Sequence, residues 1–93
     1  MSALAKTFSP AVREIRIFCC QTSPASAGTR VFIQSAYPTI KRHNPDLPVL
    51  IREANGVPAR IFARFEKGVE QHIVVDNLSP AEITTKFSKL LNL

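Results

Sequence analysis

Between Arg13 and Leu91 the hydrophobic spacing changes in one order: strand, helix, strand, strand, strand, helix. Few folds accept that order. The closing helix is the best defined element. Ser79-Pro80-Ala81-Glu82 places a capping serine, a proline at the first helical position and a glutamate three residues after the cap. Ile83, Phe87, Leu90 and Leu91 then repeat at helical spacing and should face the core. At the other end, Ile15 and Ile17 alternate with Glu14 and Arg16, and Phe18-Cys19-Cys20 completes a first strand over 13–20. Ser23-Pro24 repeats the serine–proline helix start. The helix that follows runs to about Arg42, with Ile33, Ala36, Tyr37 and Ile40 as its apolar stripe and Pro38 expected to kink or split it.

His43 to Pro48 reads as a stop and a turn, and Val49-Leu50-Ile51-Arg52 as a short buried strand. Residues 59–66 and 69–76 form a hairpin around Lys67-Gly68. With Gly68 in the left-handed position, Phe65 falls opposite Val69 and Ile61 opposite Ile73 on one face. Arg64 then falls opposite Glu70, and Phe62 opposite His72, on the other. The alternative register mixes charge into the core, so this one is preferred. Strand–helix–strand requires a right-handed crossover and a parallel pair, to which the hairpin adds antiparallel strands. The expected architecture is α/β: a minimal thioredoxin-like βαββα domain over 12–93, with a four-stranded mixed sheet and two helices on one face. Residues 1–11 are expected as a flexible N-terminal arm. A ferredoxin-like fold would need a further helix before the third strand.

The connection from Arg52 to Pro58 is too short for a helix, so the second sheet face should be left open. It would carry Glu14, Arg16, Phe18, Arg60, Phe62, Arg64 and His72. Arginines interleaved with aromatics are enriched at protein interfaces, which makes Arg16, Phe18, Arg60, Phe62 and Arg64 the expected partner surface. The alternative is an ordinary solvated face. Pro58, just ahead of the third strand, is the expected site of a cis-proline.

Charge is unevenly placed. Residues 1–42 hold six basic residues against Glu14 alone, and the remaining residues are balanced, so the net +5 belongs to the first half. That suits an acidic partner, nucleic acid or an organelle-addressed N-terminus. The first residues lack acids and an apolar stretch, which leans toward a mitochondrial rather than a secretory start. The basic residues are dispersed and no aromatic RNA-binding motif accompanies them, so no nucleic-acid partner is expected. No run approaches the roughly 20 apolar residues of a membrane span. Two adjacent cysteines with His43 and His72 make no recognisable metal site, and no glycine-rich phosphate loop exists. Cys20-Gln21-Thr22-Ser23 sets a thiol at a helix start, near Arg30 or Arg16, where a thiolate would be stabilised. Cys20 is therefore the candidate redox thiol, although the C-x-x-C pair is absent and a bystander thiol is the plainer reading.

Arg13-Glu14-Ile15-Arg16-Ile17, Cys20-Gln21-Thr22-Ser23-Pro24 and the stretch from Asn44-Pro45-Asp46-Leu47-Pro48 through Glu53 resemble the small thioredoxin-like accessory subunits of mitochondrial respiratory complex I, as do Ala63-Arg64-Phe65 and the Ser79 helix. The family is shared with mitochondrial ribosomal proteins. The resemblance covers about Val12 to Leu91. It implies a non-catalytic subunit of the respiratory chain, peripheral to the inner membrane on the matrix side. It would dock on the matrix arm beside the large iron–sulfur subunit of the NADH-oxidising module and have no cofactor of its own. It also implies that Ala54 stands where animal members carry a second cysteine able to pair with the one matching Cys20, so that pairing is lost here. A mitochondrial ribosomal protein and a monothiol oxidoreductase acting through Cys20 are the alternatives.

Overall fold

The computed structural model describes residues 4–93. Strand β1 (Val12–Cys19) leads through a single 3-10 turn (Pro24–Ser26) into helix α1 (Ala27–His43). Strands β2 (Val49–Glu53), β3 (Arg60–Phe65) and β4 (Glu70–Val74) and helix α2 (Pro80–Leu90) follow. The sheet order is β2-β1-β3-β4, with β1 parallel to β2 and the other pairs antiparallel. This is the expected α/β order and mixed sheet.

Register explains which side is buried. Ile51, Ile17, Ile61 and Ile73 lie in one row across all four strands. Both helices pack on that side: Phe32 of α1 and Phe87 of α2 are buried there and meet edge to face, with ring centroids 5.9 Å apart. The expected hairpin pairs, Ile61 with Ile73, Phe62 with His72 and Arg64 with Glu70, are all present. Gly68 is left-handed as expected, at φ 75°, but Lys67 shares that conformation at φ 62°. The Ser79–Glu82 capping box is complete: Ser79 Oγ accepts from the Glu82 N–H at 3.2 Å and Glu82 Oε1 from the Ser79 N–H at 2.9 Å.

Several expectations are corrected. The buried stripe of α1 is Thr29, Phe32, Ala36 and Ile40: Ala36 and Ile40 are as expected, but Ile33 is only partly buried against the core and Tyr37 is 37% exposed. The run Val31-Phe32-Ile33 allows either rotation, and the large ring wins the space against Phe87. Pro38 neither splits nor ends α1. Pro38 and Gln34, whose carbonyl loses its usual N–H partner, are both exposed residues. Ser23 caps the 3-10 turn rather than α1 itself, accepting from the Ala25 N–H at 3.2 Å.

The segment expected as a flexible arm over 1–11 is anchored where it is described, and residues 1–3 lie outside the described residues. Leu4 and Phe8 are buried in the common core. Asn44, at the end of α1, holds the segment: its Oδ1 accepts from the Phe8 N–H at 2.8 Å, and its Nδ2 donates to the Lys6 carbonyl at 3.0 Å. The Val57–Pro58 bond is trans, not cis. The chain reverses earlier, at Gly56 with φ 79°, so the entry to β3 uses the isomer that X–Pro bonds favour by about 0.5–1 kcal/mol.

Candidate functional site

Opposite the helices, the sheet face is uncovered. Register sets its side chains in rows running from β2 to β4. The first row is Arg52, Phe18, Arg60, Val74, the second Leu50, Arg16, Phe62, His72, and the third Glu14, Arg64, Glu70. The five expected surface residues, Arg16, Phe18, Arg60, Phe62 and Arg64, are therefore contiguous. Phe18 and Phe62 are half-buried and meet edge to face at 5.4 Å. His72 stacks on Phe62 at 4.9 Å, and the Arg16 guanidinium lies 5.3 Å from the Phe62 ring centre. Such ring and cation contacts favour one arrangement of these side chains.

One ion pair runs diagonally, and another straight across. Glu70 hydrogen-bonds Arg16, not the opposite Arg64. Glu14 lies 3.7 Å from both Arg16 and Arg64. Arg60 and Arg52 have no ion pair among the described residues, so the first row keeps two uncompensated charges beside Phe18. Pro58 joins this surface: with Val57, Phe18, Arg60 and Phe62 it lines a hollow of about 240 Å³.

Cys20 stands apart, at the end of β1, and is only 3% exposed. Backbone N–H groups of Thr22, Gly56 and Ser23, then the Thr22 hydroxyl, hydrogen-bond the sulfur and pull its pKa down to about 7. The Ser23 and Gly56 nitrogens lie 3.3 and 3.4 Å from Sγ. The expected arginine contribution is corrected. Arg30 Nη1 donates instead to the Cys20 and Ser23 carbonyls, at 2.8 and 3.0 Å, and Arg16 belongs to the open face. Cys19 is buried on the helix side, where burial pushes its thiol up. Among the described residues no group of three His, Cys, Asp or Glu could hold a metal ion. None of their helices is long and apolar enough to cross a membrane.

Thiolate absorbance in the ultraviolet should rise with a midpoint near 7 and lose that step in Cys20→Ser. Because the folded pKa lies below the ordinary 9.0, Cys20 stabilises the fold as pH rises from about 7 toward 9.0. That contribution disappears as pH falls through 7. A wild-type midpoint at the ordinary thiol value would refute the hydrogen-bonded thiolate.

Residues 29–80 match the model of the mitochondrial ribosomal protein L51 / S25 / CI-B8 domain. A protein of Arabidopsis thaliana named NADH dehydrogenase (ubiquinone) 1 alpha subcomplex subunit 2 is 41% identical over 85 residues, 91% of this chain and 88% of the relative. The chain belongs to the L51 / S25 / CI-B8 family. The protein of the same name in Mus musculus is 41% identical over 81 residues, covering 87% of this chain and 82% of that one. The Neurospora crassa NADH-ubiquinone oxidoreductase 10.5 kDa subunit is 39% identical over 84 residues, with 90% and 89% covered. The L51 / S25 / CI-B8 segment includes β2, β3 and β4, three of the four strands of the open face, and leaves Cys20 outside it. Sequence reasoning found this face from the period of two in β1 and the hairpin. It missed Asn44 as a clamp, because a proline-rich turn motif does not reveal that its asparagine is buried.

Proposed function

We propose that this chain is a non-catalytic accessory subunit of mitochondrial complex I, supporting the assembly or stability of the matrix arm. It docks beside the large iron–sulfur subunit of the NADH-oxidising module and is peripheral to the inner membrane on the matrix side. The observation that carries the reading is the uncovered sheet face, where Arg16 and Arg60 flank the Phe18–Phe62 pair in a chain of this family. Half-buried aromatics with arginines supply the anchors of an interface, and the unpaired Arg60 favours an acidic or mixed partner surface.

Charge reversal tests it. Arg60→Glu disturbs no ion pair of the described residues, whereas Arg64→Glu sets a third carboxylate beside Glu14 and Glu70. In cells lacking the native protein, Arg60→Glu with Arg64→Glu should weaken incorporation by about 30-fold, as for the loss of a 2 kcal/mol interface anchor. Native gels stained for NADH dehydrogenase activity read the result, and the melting transition of free Arg60→Glu checks its fold. Undiminished incorporation of both variants would exclude this face.

One observation favours a ribosomal reading: the +5 net charge suits RNA. Failed mitochondrial translation with intact complex I, after deletion, would favour it. The Cys20 pKa near 7 favours thiol chemistry, which requires turnover that Cys20→Ser abolishes.

A further inference from the structure

The sheet has a second unused recognition feature, at the outer edge of β2. In the parallel ladder the Ile15 N–H donates to the Pro48 carbonyl at 3.0 Å, and the Ala54 N–H to the Cys19 carbonyl at 3.1 Å. Parallel strands alternate, so Leu50 and Arg52 also turn their backbone groups toward β1. Val49, Ile51 and Glu53 turn theirs outward, and no described residue hydrogen-bonds them there. β2 is an edge strand, and nothing described pairs with its far side.

This edge is blunted only by the charges of Arg52 and Glu53 at its end. It has no proline or bulge within Val49–Glu53, and helix α1 does not close over it. Between them lies a groove of about 640 Å³, lined by Ile33, Tyr37 and Pro38 of α1 and by Val49 and Ile51 of β2. Tyr37, displaced from the core stripe, stands on this groove. The hairpin edge at β4 differs: it bears Glu70 and His72, which are engaged with the open face.

Charge selects the occupant. Helix α1 contains no acidic residue; its Arg30 and Lys41 donate to backbone carbonyls, and Arg42 has no ion pair among the described residues. On the edge strand Arg52 and Glu53 are both exposed and without an ion pair among the described residues, but of the two only Arg52 lines the groove. A second copy of the chain would bring +5 against +5 and set like α1 helices side by side.

We propose that the β2 edge and its α1 groove take an extended, acid-bearing segment of a partner protein as a fifth strand, with apolar side chains in the groove and a carboxylate on Arg52. The inference rests on the docking reading above and adds a second contact to it. Five residues span roughly 17 Å, enough for a short added strand held by main-chain hydrogen bonds.

The test uses the full chain in mitochondria lacking the native protein, with a photo-crosslinking benzoylphenylalanine at Gln34 on the groove or at Lys86 on α2. Gln34 should crosslink to one acid-bearing segment of a complex I subunit, and Lys86 should not. Arg52→Glu should cut that yield about tenfold, as for the loss of a charge-assisted contact. Amide exchange supplies a second readout: Val49, Ile51 and Glu53 exchange fast and Leu50 and Arg52 slowly in the free chain, and all five slowly in the isolated complex. Crosslinking of Gln34 only to a second copy overturns the proposal. So does a chain that co-migrates with complex I while Gln34 stays uncrosslinked and the edge amides unprotected, and the docking reading then survives. Failure of the wild type to co-migrate defeats the docking reading itself, and this inference with it.

Discussion

Phe87→Ala should cost about 3–5 kcal/mol, the largest loss expected of any single side chain in the core. The ring is fully buried and is the hub of three segments. It meets Phe32 of α1 at 5.9 Å and Phe8 of the N-terminal segment at 6.3 Å, both edge to face. Truncation therefore leaves two rings facing a void that the helices cannot easily close by sliding, because the Asn77 N–H bond to the Ala25 carbonyl ties the start of α2 to that of α1. A domain of this size has roughly 5–14 kcal/mol of stability in all. The variant should lose at least about a fifth of the wild-type urea midpoint and, in the same experiment, release the segment around Phe8 to proteolysis. A midpoint within error of wild type would show that the core does not depend on this contact. Protection of the N-terminal segment in a destabilised variant would show that Asn44 alone anchors it.

That prediction combines what the sequence makes legible with what it hides. Phe87 was expected in the core because it falls on the stripe with Ile83 and Leu91, in a helix whose start is marked by its cap. The hairpin register was equally legible, since only one alignment keeps Arg64 and Glu70 away from Ile61 and Ile73. Phe32 was hidden: three consecutive apolar residues leave the rotation of α1 undecided until α2 is placed against it. Phe8 and Asn44 were hidden for a related reason. Their contacts join residues 36 apart, and a polar residue in a turn motif shows no periodicity that would betray its burial.

The open face was legible as a set of residues, because strand alternation assigns them to one side. Its pairing was not. Glu70 chooses Arg16 over the residue directly opposite, a choice made by side-chain reach across two strands. The Cys20 surroundings show the same limit. A thiol at a helix start suggested stabilisation by nearby arginines, but backbone N–H groups supply it, including that of Gly56 across the turn before β3. Edges are harder still to read. Which groups of β2 face outward depends on the parallel partner and its phase, and these are set only when β1 pairs.

Gly28→Ala should also destabilise, by roughly 3 kcal/mol, although alanine is the better helix former. Gly28 is the second residue of α1, where propensity alone predicts a gain of about 1 kcal/mol. A Cβ there would lie 1.9 Å from the Leu78 carbonyl oxygen, far inside any tolerated contact. The obstacle is backbone and cannot rotate away. It is also held in place: the Asn77 N–H donates to the Ala25 carbonyl at 2.8 Å, tying the β4–α2 connection to the start of α1. Relief requires moving one helix start away from the other, which opens the space between Phe32 and Phe87. Gly56→Ala is the control. Its Cβ meets nothing within 4 Å, so only the positive φ of 79° opposes it, at a cost of about 1 kcal/mol. Urea midpoints that rank wild type above Gly56→Ala, and Gly56→Ala above Gly28→Ala, would establish that close helix approach fixes glycine at 28. A Gly28→Ala protein as stable as wild type would mean that the two helix starts separate freely, and that the α1–α2 contact is held by the phenylalanines alone.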